Sequence, residues 1–282
     1  MVVDGHFRAF SFVDRISSLE PGYRIRGSYA IPPAIPAFPT ALVTEAVGQL
    51  AAWAAMSASD FQSRPVAGLA SHIDFHSAVR PGEVLDLVVE LETVDADAIA
   101  YHGTAHVAGI PVAKLQHCVG PMVPVAEFDD PQALRGRFHL LCGAGAKPGA
   151  FGGIPPLALD YAGAEDGKIM RATLRVPDHA PFFADHFPRR PVLPGVLLMN
   201  ANLELVAALA ERMAAPSAGS KWVLQGVSNV KLRAFTPPGE SLEIEARLEQ
   251  ISSKAAMVNV ETRNGKRLIG GSRVRLVMEG QQ

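Results

Sequence analysis

Hydrophobic and polar positions along this chain follow two periodicities, and each periodicity occurs twice. Residues 84–91 and 241–248 alternate between apolar and polar side chains, which is the pattern of a half-buried β-strand. Residues 40–57 and 195–215 are apolar on most faces and too long for strands, so they predict helices. A proline stands just before each of these runs and suits a helix start, where a missing N–H costs nothing.

The two sets of elements are copies of one unit, offset by roughly 155 residues. The sequence RPGE at 80–83 recurs as PPGE at 237–240, and IPAFPTAL at 35–42 aligns with RPVLPGVL at 190–197. Each copy predicts a short lead-in, one long helix and three or four antiparallel strands. A helix that is apolar on most faces must be covered on most faces, and one curled sheet covers only one side. We therefore predict an α+β fold in which the two copies pack as a pseudo-symmetric pair.

The boundaries of the two units follow from this alignment. We assign residues 1–125 to the first unit and residues 157–282 to the second. Residues 126–156 are rich in glycine and are interpreted as a linker. The Gly-x-Gly pattern in this linker is not a phosphate loop, because no Lys-Ser or Lys-Thr follows at the required spacing.

Composition narrows the possible functions. The 282 residues are 48% hydrophobic and 19% charged, which is enough to bury a sizeable core. The net charge of −2 argues against a nucleic-acid-binding protein, which would carry a strong basic excess. Residues 1–155 carry 10 Lys and Arg against 15 Asp and Glu, whereas residues 156–282 carry 16 against 13. This asymmetry is either drift or a sign that the second half faces an acidic partner or a phosphate.

Three features predict a cytoplasmic protein without membrane insertion. Cys118 and Cys142 cannot build a disulfide framework and favour a reducing compartment. The N-terminus has no basic region followed by an apolar stretch, so no signal peptide is visible. The most apolar stretch, residues 40–56, carries Glu45 and Gln49 and is too short to span a bilayer comfortably.

The most specific stretch of the sequence is PFFADHFPRRPVLPGVL at 181–197. With it, the chain resembles the bacterial 3-hydroxyacyl-[acyl-carrier-protein] dehydratases of the FabZ/FabA type. Their signature is a His-Phe-Pro, a Pro-Gly that opens the central helix, and an acidic residue fourteen positions after the histidine. The resemblance covers almost the whole chain twice and implies a double hotdog, with two long helices each wrapped by an antiparallel sheet. It further implies dehydration of a 3-hydroxyacyl thioester on acyl carrier protein or CoA, without a cofactor.

Each copy lacks one member of the catalytic pair of this family. Asn200 stands fourteen residues after His186, and Ile31 stands fourteen residues before Glu45. The family builds each site across an interface, from the histidine of one unit and the acid of the other. The resemblance therefore implies one complete site from His186 and Glu45, and an inactive one from Ile31 and Asn200.

The residues of the complete site suit the roles that the resemblance implies. A histidine titrates near neutrality and can take the C2 proton. A glutamate in an apolar tunnel has a raised pKa and can give a proton to the departing hydroxyl. The N–H of Gly195, at a helix N-terminus, is aimed to hold the thioester carbonyl. Gln49 either supports Glu45 or positions the leaving hydroxyl, and we expect Phe183 and Pro194 to contact the substrate.

Four basic residues are candidates for contact with the carrier: Arg189, Arg190, Lys231 and Arg233. They would meet the phosphate of a phosphopantetheine arm or an acidic carrier protein, or they form an ordinary solvated surface. The family usually has glycine at position 189. We expect no metal site, because the histidine pairs 72/76 and 102/106 lie in strand-like segments without a supporting Cys or acid cluster. The sequence does not decide whether the chain assembles into a further homo-oligomer.

Two alternative functions stay open. A hotdog thioesterase would use Glu45 to direct water at the thioester, but the His-Phe-Pro motif would then be unexplained. A non-catalytic partner subunit would shape another dehydratase. By resemblance, a glutamate rather than an aspartate as the acid favours dehydration without double-bond isomerisation, in fatty-acid or related acyl-chain biosynthesis.

Overall fold

A computed structural model describes residues 6–155, 157–165, 167–213 and 220–279. In the first half, helix α1 (Thr40–Ala58) begins directly after Pro39 and buries most of its side chains, which is why its sequence is apolar on most faces. The strands of this half are β1 (Arg15–Glu20), β2 (Arg24–Ala30), β3 (Ser63–Pro65), β4 (Leu69–Phe75), β5 (Val84–Val94), β6 (Ala98–Val107) and β7 (Ile110–Pro124).

The predicted linker contains two helices that its glycine-rich composition did not indicate. These are α2 (Val125–Phe128) and α3 (Pro131–Cys142). Asp130 caps α3, since its side chain accepts hydrogen bonds from the N–H groups of the first turn. Leu134, Leu141 and Phe151 are buried in the main core, so this segment packs against the first half. Residue 156 lies outside the described residues, and the boundaries of the two units remain our proposal.

The second half repeats the order of the first. Two strands lead to helix α4 (Gly195–Ala210) by way of a 3-10 turn (Pro181–Ala184), and four strands follow. These strands are β8 (Leu159–Glu165), β9 (Ile169–Arg175), β10 (Lys221–Leu232), β11 (Ser241–Ile251), β12 (Ala255–Asn264) and β13 (Arg267–Glu279). The helix predicted over 195–215 ends at Ala210, and residues 214 and 215 lie outside the described part.

One antiparallel sheet joins the two halves. Within the described residues, its strand order is β1-β2-β5-β6-β7-β4-β10-β13-β12-β11-β9-β8, and the short β3 pairs with β7. The halves meet where β4 pairs with β10, from Gly226 opposite Asp74 to Lys231 opposite Leu69. The strands of each half wrap their own helix, and α1 packs against α4 across a shared core. The predicted α+β double hotdog is confirmed. Every helix in the described ranges is too short or too polar to cross a lipid bilayer.

The seam between β4 and β10 contains a glycine where a side chain would collide. A Cβ at Gly226 would lie 2.5 Å from the carbonyl oxygen of Ile73. We expect Gly226→Ala to lower the free energy of unfolding, measured in urea, by about 1–3 kcal/mol. The matched control is Gly163→Ala in β8, where nothing lies within 4 Å of the added Cβ. Equal stabilities of the two variants would contradict a tightly packed seam.

Candidate active site

A cavity of about 560 Å³ lies between the two halves of the molecule. His186 from the second half and Glu45 from the first both line it. The structure therefore brings the two predicted catalytic residues to one cavity. Other predicted residues in its walls are Gln49, Gly195, Lys231 and Arg233.

The loop around His186 fixes the orientation of the imidazole. The backbone N–H of His186 donates to the carbonyl of Phe182 at 2.9 Å, and its carbonyl accepts from the N–H of Val192 at 3.1 Å. Nδ1 lies 3.2 Å from the carbonyl oxygen of Val192. Because that oxygen can only accept, Nδ1 carries the proton of this bond and Nε2 keeps a free lone pair.

Burial lowers the pKa of His186 to about 3, and the nearby positive charge of Arg64 lowers it as well. The ring is therefore neutral at physiological pH, which is the form that a general base requires. The ring of Phe187 stacks on the imidazole, with centroids 4.1 Å apart. A neutral, oriented imidazole faces the cavity.

Glu45 and Gln49 lie one turn apart on α1. Burial raises the pKa of Glu45, and the hydrogen bond from Gln49 and the charge of Arg64 partly oppose that rise. Gln49 Nε2 donates to Glu45 Oε1 at 3.0 Å and to the carbonyl of Phe10 at 2.9 Å. Gln49 Oε1 accepts from the N–H of Phe12 at 2.7 Å. Of the two roles considered for Gln49, this geometry favours support of the acid.

The segment Phe7–Phe12, which we call the N-terminal strap, links the supports of the two catalytic residues. Asp185, directly before His186, accepts hydrogen bonds from the N–H groups of Phe7 and Phe10, the latter at 2.7 Å, and from the Ser11 hydroxyl at 3.2 Å. The peptide groups of Phe10 thus donate to Asp185 and accept from Gln49. Sequence reasoning missed Asp185, although an acid next to a histidine in an apolar stretch was an available signal.

Arg64 is a second residue that sequence reasoning missed. It lies in β3, lines the cavity, and holds its guanidinium 3.9 Å from the ring centroid of Phe187. Arg64 Nη1 lies 3.5 Å from Oδ2 of the buried Asp129. Burial lowers the pKa of Arg64 to about 10, so it stays charged near neutrality. A lone arginine in a short Ser-Arg-Pro strand carries no recognisable motif, and only the fold places it here.

Gly195 opens α4 directly after Pro194, so its N–H lies in the first turn, where N–H groups have no intrahelical acceptor. A Cβ at Gly195 would lie 2.3 Å from Leu232 Cδ1. A side chain at this position would therefore require the Leu232 side chain of β10 to shift. The bare backbone leaves this donor accessible from the cavity wall.

Two residues expected to contact substrate, Phe183 and Pro194, are not among the described residues that line the cavity. Phe183 is buried against Phe182, with ring centroids 4.6 Å apart. Pro194 is buried, and its carbonyl accepts hydrogen bonds from the first turn of α4. Both side chains pack the histidine loop and the helix start, and their contact with substrate stays a prediction.

Arg189 and Arg190 are also placed outside the cavity walls. Arg189 Nη1 donates to the carbonyl of Ala126 at 2.9 Å, and its Nη2 lies 3.8 Å from Asp130. Arg190 lies 3.7 Å from Glu127 and stacks at 5.2 Å over the ring of Phe128. Both side chains are about half exposed, and their contact with the carrier stays a prediction. Both side chains attach the histidine loop to the helices that follow β7.

The second predicted pair does not form a comparable site. Ile31 is 1% exposed and belongs to the core. Asn200 Nδ2 donates to Glu204 Oε1 at 2.8 Å. At positions 200 and 204 the amide and the acid therefore have exchanged places relative to Glu45 and Gln49. Neither Ile31 nor Asn200 is among the described residues that line the cavity.

Comparisons with known proteins point to dehydratases by sequence. A family model described as ApeI-like, ApeI dehydratase, matches residues 163–271. The FabZ 3-hydroxyacyl-[acyl-carrier-protein] dehydratase of Tolumonas auensis is 32% identical over 108 residues, which are 38% of this chain and 72% of that protein. The FabZ protein of Albidiferax ferrireducens is 35% identical over 102 residues, 35% of this chain and 68% of that protein.

Comparisons with solved structures concern the fold alone, since the identities are low. A protein described as an oleoyl thioesterase from Lactobacillus plantarum superposes with a TM-score of 0.61 at 10% identity, over 92% of this chain and 98% of that one. The 12:0-ACP thioesterase from Umbellularia californica gives a TM-score of 0.54 at 10% identity, over 91% of this chain and 94% of that one. The whole double-hotdog arrangement is thus shared with these proteins.

The N-terminal strap predicts a specific effect of Asp185→Asn. Asparagine keeps one acceptor oxygen but turns an NH₂ toward backbone donors, so the free energy of unfolding should fall by about 1–3 kcal/mol. Hydrogen exchange at the amides of Phe7 and Phe10 should become faster. The matched control is Asp178→Asn, because Asp178 is exposed and pairs with the exposed Arg175 at 3.2 Å. Unchanged exchange at Phe10 would contradict the bridging role of the strap.

Proposed function

The chain belongs to the family of 3-hydroxyacyl-[acyl-carrier-protein] dehydratases of the FabZ type, and we propose that it converts a 3-hydroxyacyl thioester into the trans-2-enoyl thioester and water. One observation carries this proposal above all others. His186 and Glu45 come from opposite halves of the chain and line the same cavity. Neither half contains both residues, so the complete chain forms a single active site.

His186 acts as the base in this proposal. Nε2 removes the C2 proton of the substrate, and the electrons of the C2–H bond move toward C3. The hydrogen bond of Nδ1 to the carbonyl of Val192 holds the tautomer that this step needs. The imidazolium that forms is unfavourable in its buried position, which favours prompt loss of the proton after turnover.

Glu45 acts as the acid. Burial raises its pKa and so favours the protonated carboxyl, which gives its proton to the C3 hydroxyl as the C3–O bond breaks. The C2–C3 double bond forms, and the hydroxyl leaves as water. Gln49 stabilises the carboxylate that remains, since its Nε2 already donates to Oε1. A proton returned from His186 through the released water restores both groups.

The thioester carbonyl is held by the N–H of Gly195. This donor, at the N-terminus of α4, stabilises the enolate-like oxygen that develops when C2 loses its proton. Loss of such a donor typically costs about 10²–10³ in kcat.

Lys231 and Arg233 are our candidates for contact with the carrier. Both lie in the cavity wall at the end of β10. Their charges suit the phosphate of a phosphopantetheine arm and an acidic carrier protein. The family favours acyl carrier protein over CoA as the carrier. Arg189 and Arg190 remain candidates for the same contact at the surface, where they lie near Asp130 and Glu127. Cytoplasmic location and further self-association remain predictions.

Substitution of the catalytic pair tests the proposal directly. We expect Glu45→Gln and His186→Ala to lower the rate of enoyl-thioester hydration by at least ~10²-fold. Asn200→Ala is the matched control, because Asn200 occupies the helix position equivalent to Glu45 and hydrogen bonds to Glu204. It should change the rate less than about twofold, within the range of a neutral surface change. Loss of activity in Asn200→Ala but not in Glu45→Gln would mean that the acid is assigned wrongly.

The same preparation separates the two alternative functions. Release of free thiol from an acyl thioester, with no enoyl product, would identify a thioesterase. Inactivity of the purified chain alone, with activity restored by another dehydratase, would identify a non-catalytic partner. Formation of the enoyl thioester by the purified chain would exclude both.

The pKa shifts predict the shape of the pH profile. Activity requires neutral His186 and protonated Glu45. Because the pKa of His186 is about 3, the base stays neutral down to acid pH. Because the pKa of Glu45 is raised, activity should fall only as the pH rises through that pKa. We expect kcat/KM to lack the acid limb that an unperturbed histidine would produce near about pH 6.5. An acid limb of kcat/KM near about pH 6.5 would contradict the assignment of the buried His186 as the base.

A further inference from the structure

The guanidinium of Arg64 has hydrogen-bonding capacity that the protein does not use. Its side chain is 12% exposed, and Nε and Nη1 are buried without a hydrogen-bond partner among the described residues. Nη1 lies 3.5 Å from Asp129 Oδ2, close enough for charge attraction but without the geometry of a hydrogen bond. Stacking on Phe187 and this attraction hold the group in place. Buried donors are normally paired, so a donor left free in a cavity wall points to a ligand.

The position of Arg64 connects it to both catalytic residues. Phe187, on which the guanidinium stacks, follows His186 in the chain and stacks on the imidazole in turn. The positive charge of Arg64 acts on Glu45 and on His186. Arg64 and both catalytic residues line the same cavity. A substrate placed for proton transfer from Glu45 would bring its oxygen atoms close to this cation.

The acidic groups around Arg64 leave it incompletely neutralised. Asp129 is shared with His6, whose Nε2 lies 3.3 Å from the other carboxylate oxygen and also lacks a hydrogen bond. Asp185, which faces Arg64 from the histidine loop, is occupied by the N-terminal strap. Glu45 is the remaining acidic neighbour, and the proposed mechanism requires it to be protonated. Asp129 is therefore the carboxylate that pairs with Arg64 among the described residues, and the pair leaves Nε and Nη1 without a hydrogen bond.

We propose that Arg64 binds substrate by donating a hydrogen bond to the C3 hydroxyl oxygen of the acyl chain. This inference rests on the proposed dehydration and adds a residue to it. The thioester carbonyl has its own donor in Gly195, whereas Arg64 shares the surroundings of Glu45, which protonates the hydroxyl. As the C3–O bond lengthens, the guanidinium stabilises the charge on the departing oxygen, and Glu45 supplies the proton that completes the water molecule.

The proposal predicts discrimination between chains with and without the hydroxyl. Both 3-hydroxyoctanoyl-pantetheine and octanoyl-pantetheine have the thioester carbonyl, but only the former has an oxygen at C3. In the His186→Ala protein, which cannot turn over the substrate, we expect the hydroxylated ligand to bind about 10-fold more tightly. Arg64→Lys in the same background should abolish most of this preference, measured by calorimetry, because a lysine cannot reproduce the stacked, planar group.

Arg135→Lys is the matched control. Arg135 also lies over a phenylalanine ring, that of Phe61 at 5.4 Å, and pairs with Asp60 at 2.8 Å, but it is not among the residues that line the cavity. It should leave the preference for the hydroxylated ligand unchanged. If Arg64→Lys fails to fold, Arg64→Gln combined with Asp129→Asn removes both charges and should lose the same preference.

A pH profile supplies a readout that a purely structural role would not move. Because the charge of Arg64 lowers the pKa of both Glu45 and His186, Arg64→Gln should raise both values. The alkaline limb of kcat/KM should therefore move to higher pH. An unchanged limb, or retention of the hydroxyl preference in Arg64→Lys while the wild type dehydrates, overturns the assignment of Arg64. Absence of dehydration by the wild type overturns the proposed function, and this inference with it.

Discussion

The antiparallel pairing of β4 with β10 is the constraint on which the rest of this protein depends. It holds two duplicated halves in one register, with His72 opposite Ser228 at its centre. The pairing matters more here than in a symmetric pair, because each half retains only one member of the proposed catalytic pair. A slip of one residue would turn every side chain of a strand to the other face of the sheet.

Burial between the halves prepares the two titrating groups in opposite senses. Desolvation disfavours the charged form of each, so it lowers the pKa of the base His186 and raises the pKa of the acid Glu45. Burial in one shared cavity thus favours both forms that the proposed dehydration needs, a neutral His186 and a protonated Glu45. The N-terminal strap connects the segments that position the two groups, since the peptide groups of Phe10 link Asp185 to Gln49.

Helices α1 and α4 occupy equivalent places in the two halves but differ in which position carries the acid. In α1 an amide supports an acid, whereas in α4 Asn200 and Glu204 form the same i, i+4 hydrogen bond with the two groups exchanged. At the start of α1 the position equivalent to Gly195 is Thr40. In the proposed mechanism, the second half therefore supplies the donor Gly195 and the base His186. The first half supplies the acid Glu45 and its supporting residue Gln49.

The family resemblance predicted that His186 and Glu45 meet, whereas the sequence pattern by itself determined the duplication, the α+β class and the two long helices. These features are encoded by local periodicity and short motifs, which depend on neighbours along the chain. Only the tertiary structure placed Arg64 and Asp185 next to the proposed catalytic residues and gave Arg189 its partners in the segment that follows β7. Those residues meet across 60 to 180 positions of chain, and their roles arise from burial and hydrogen bonding that no local pattern expresses.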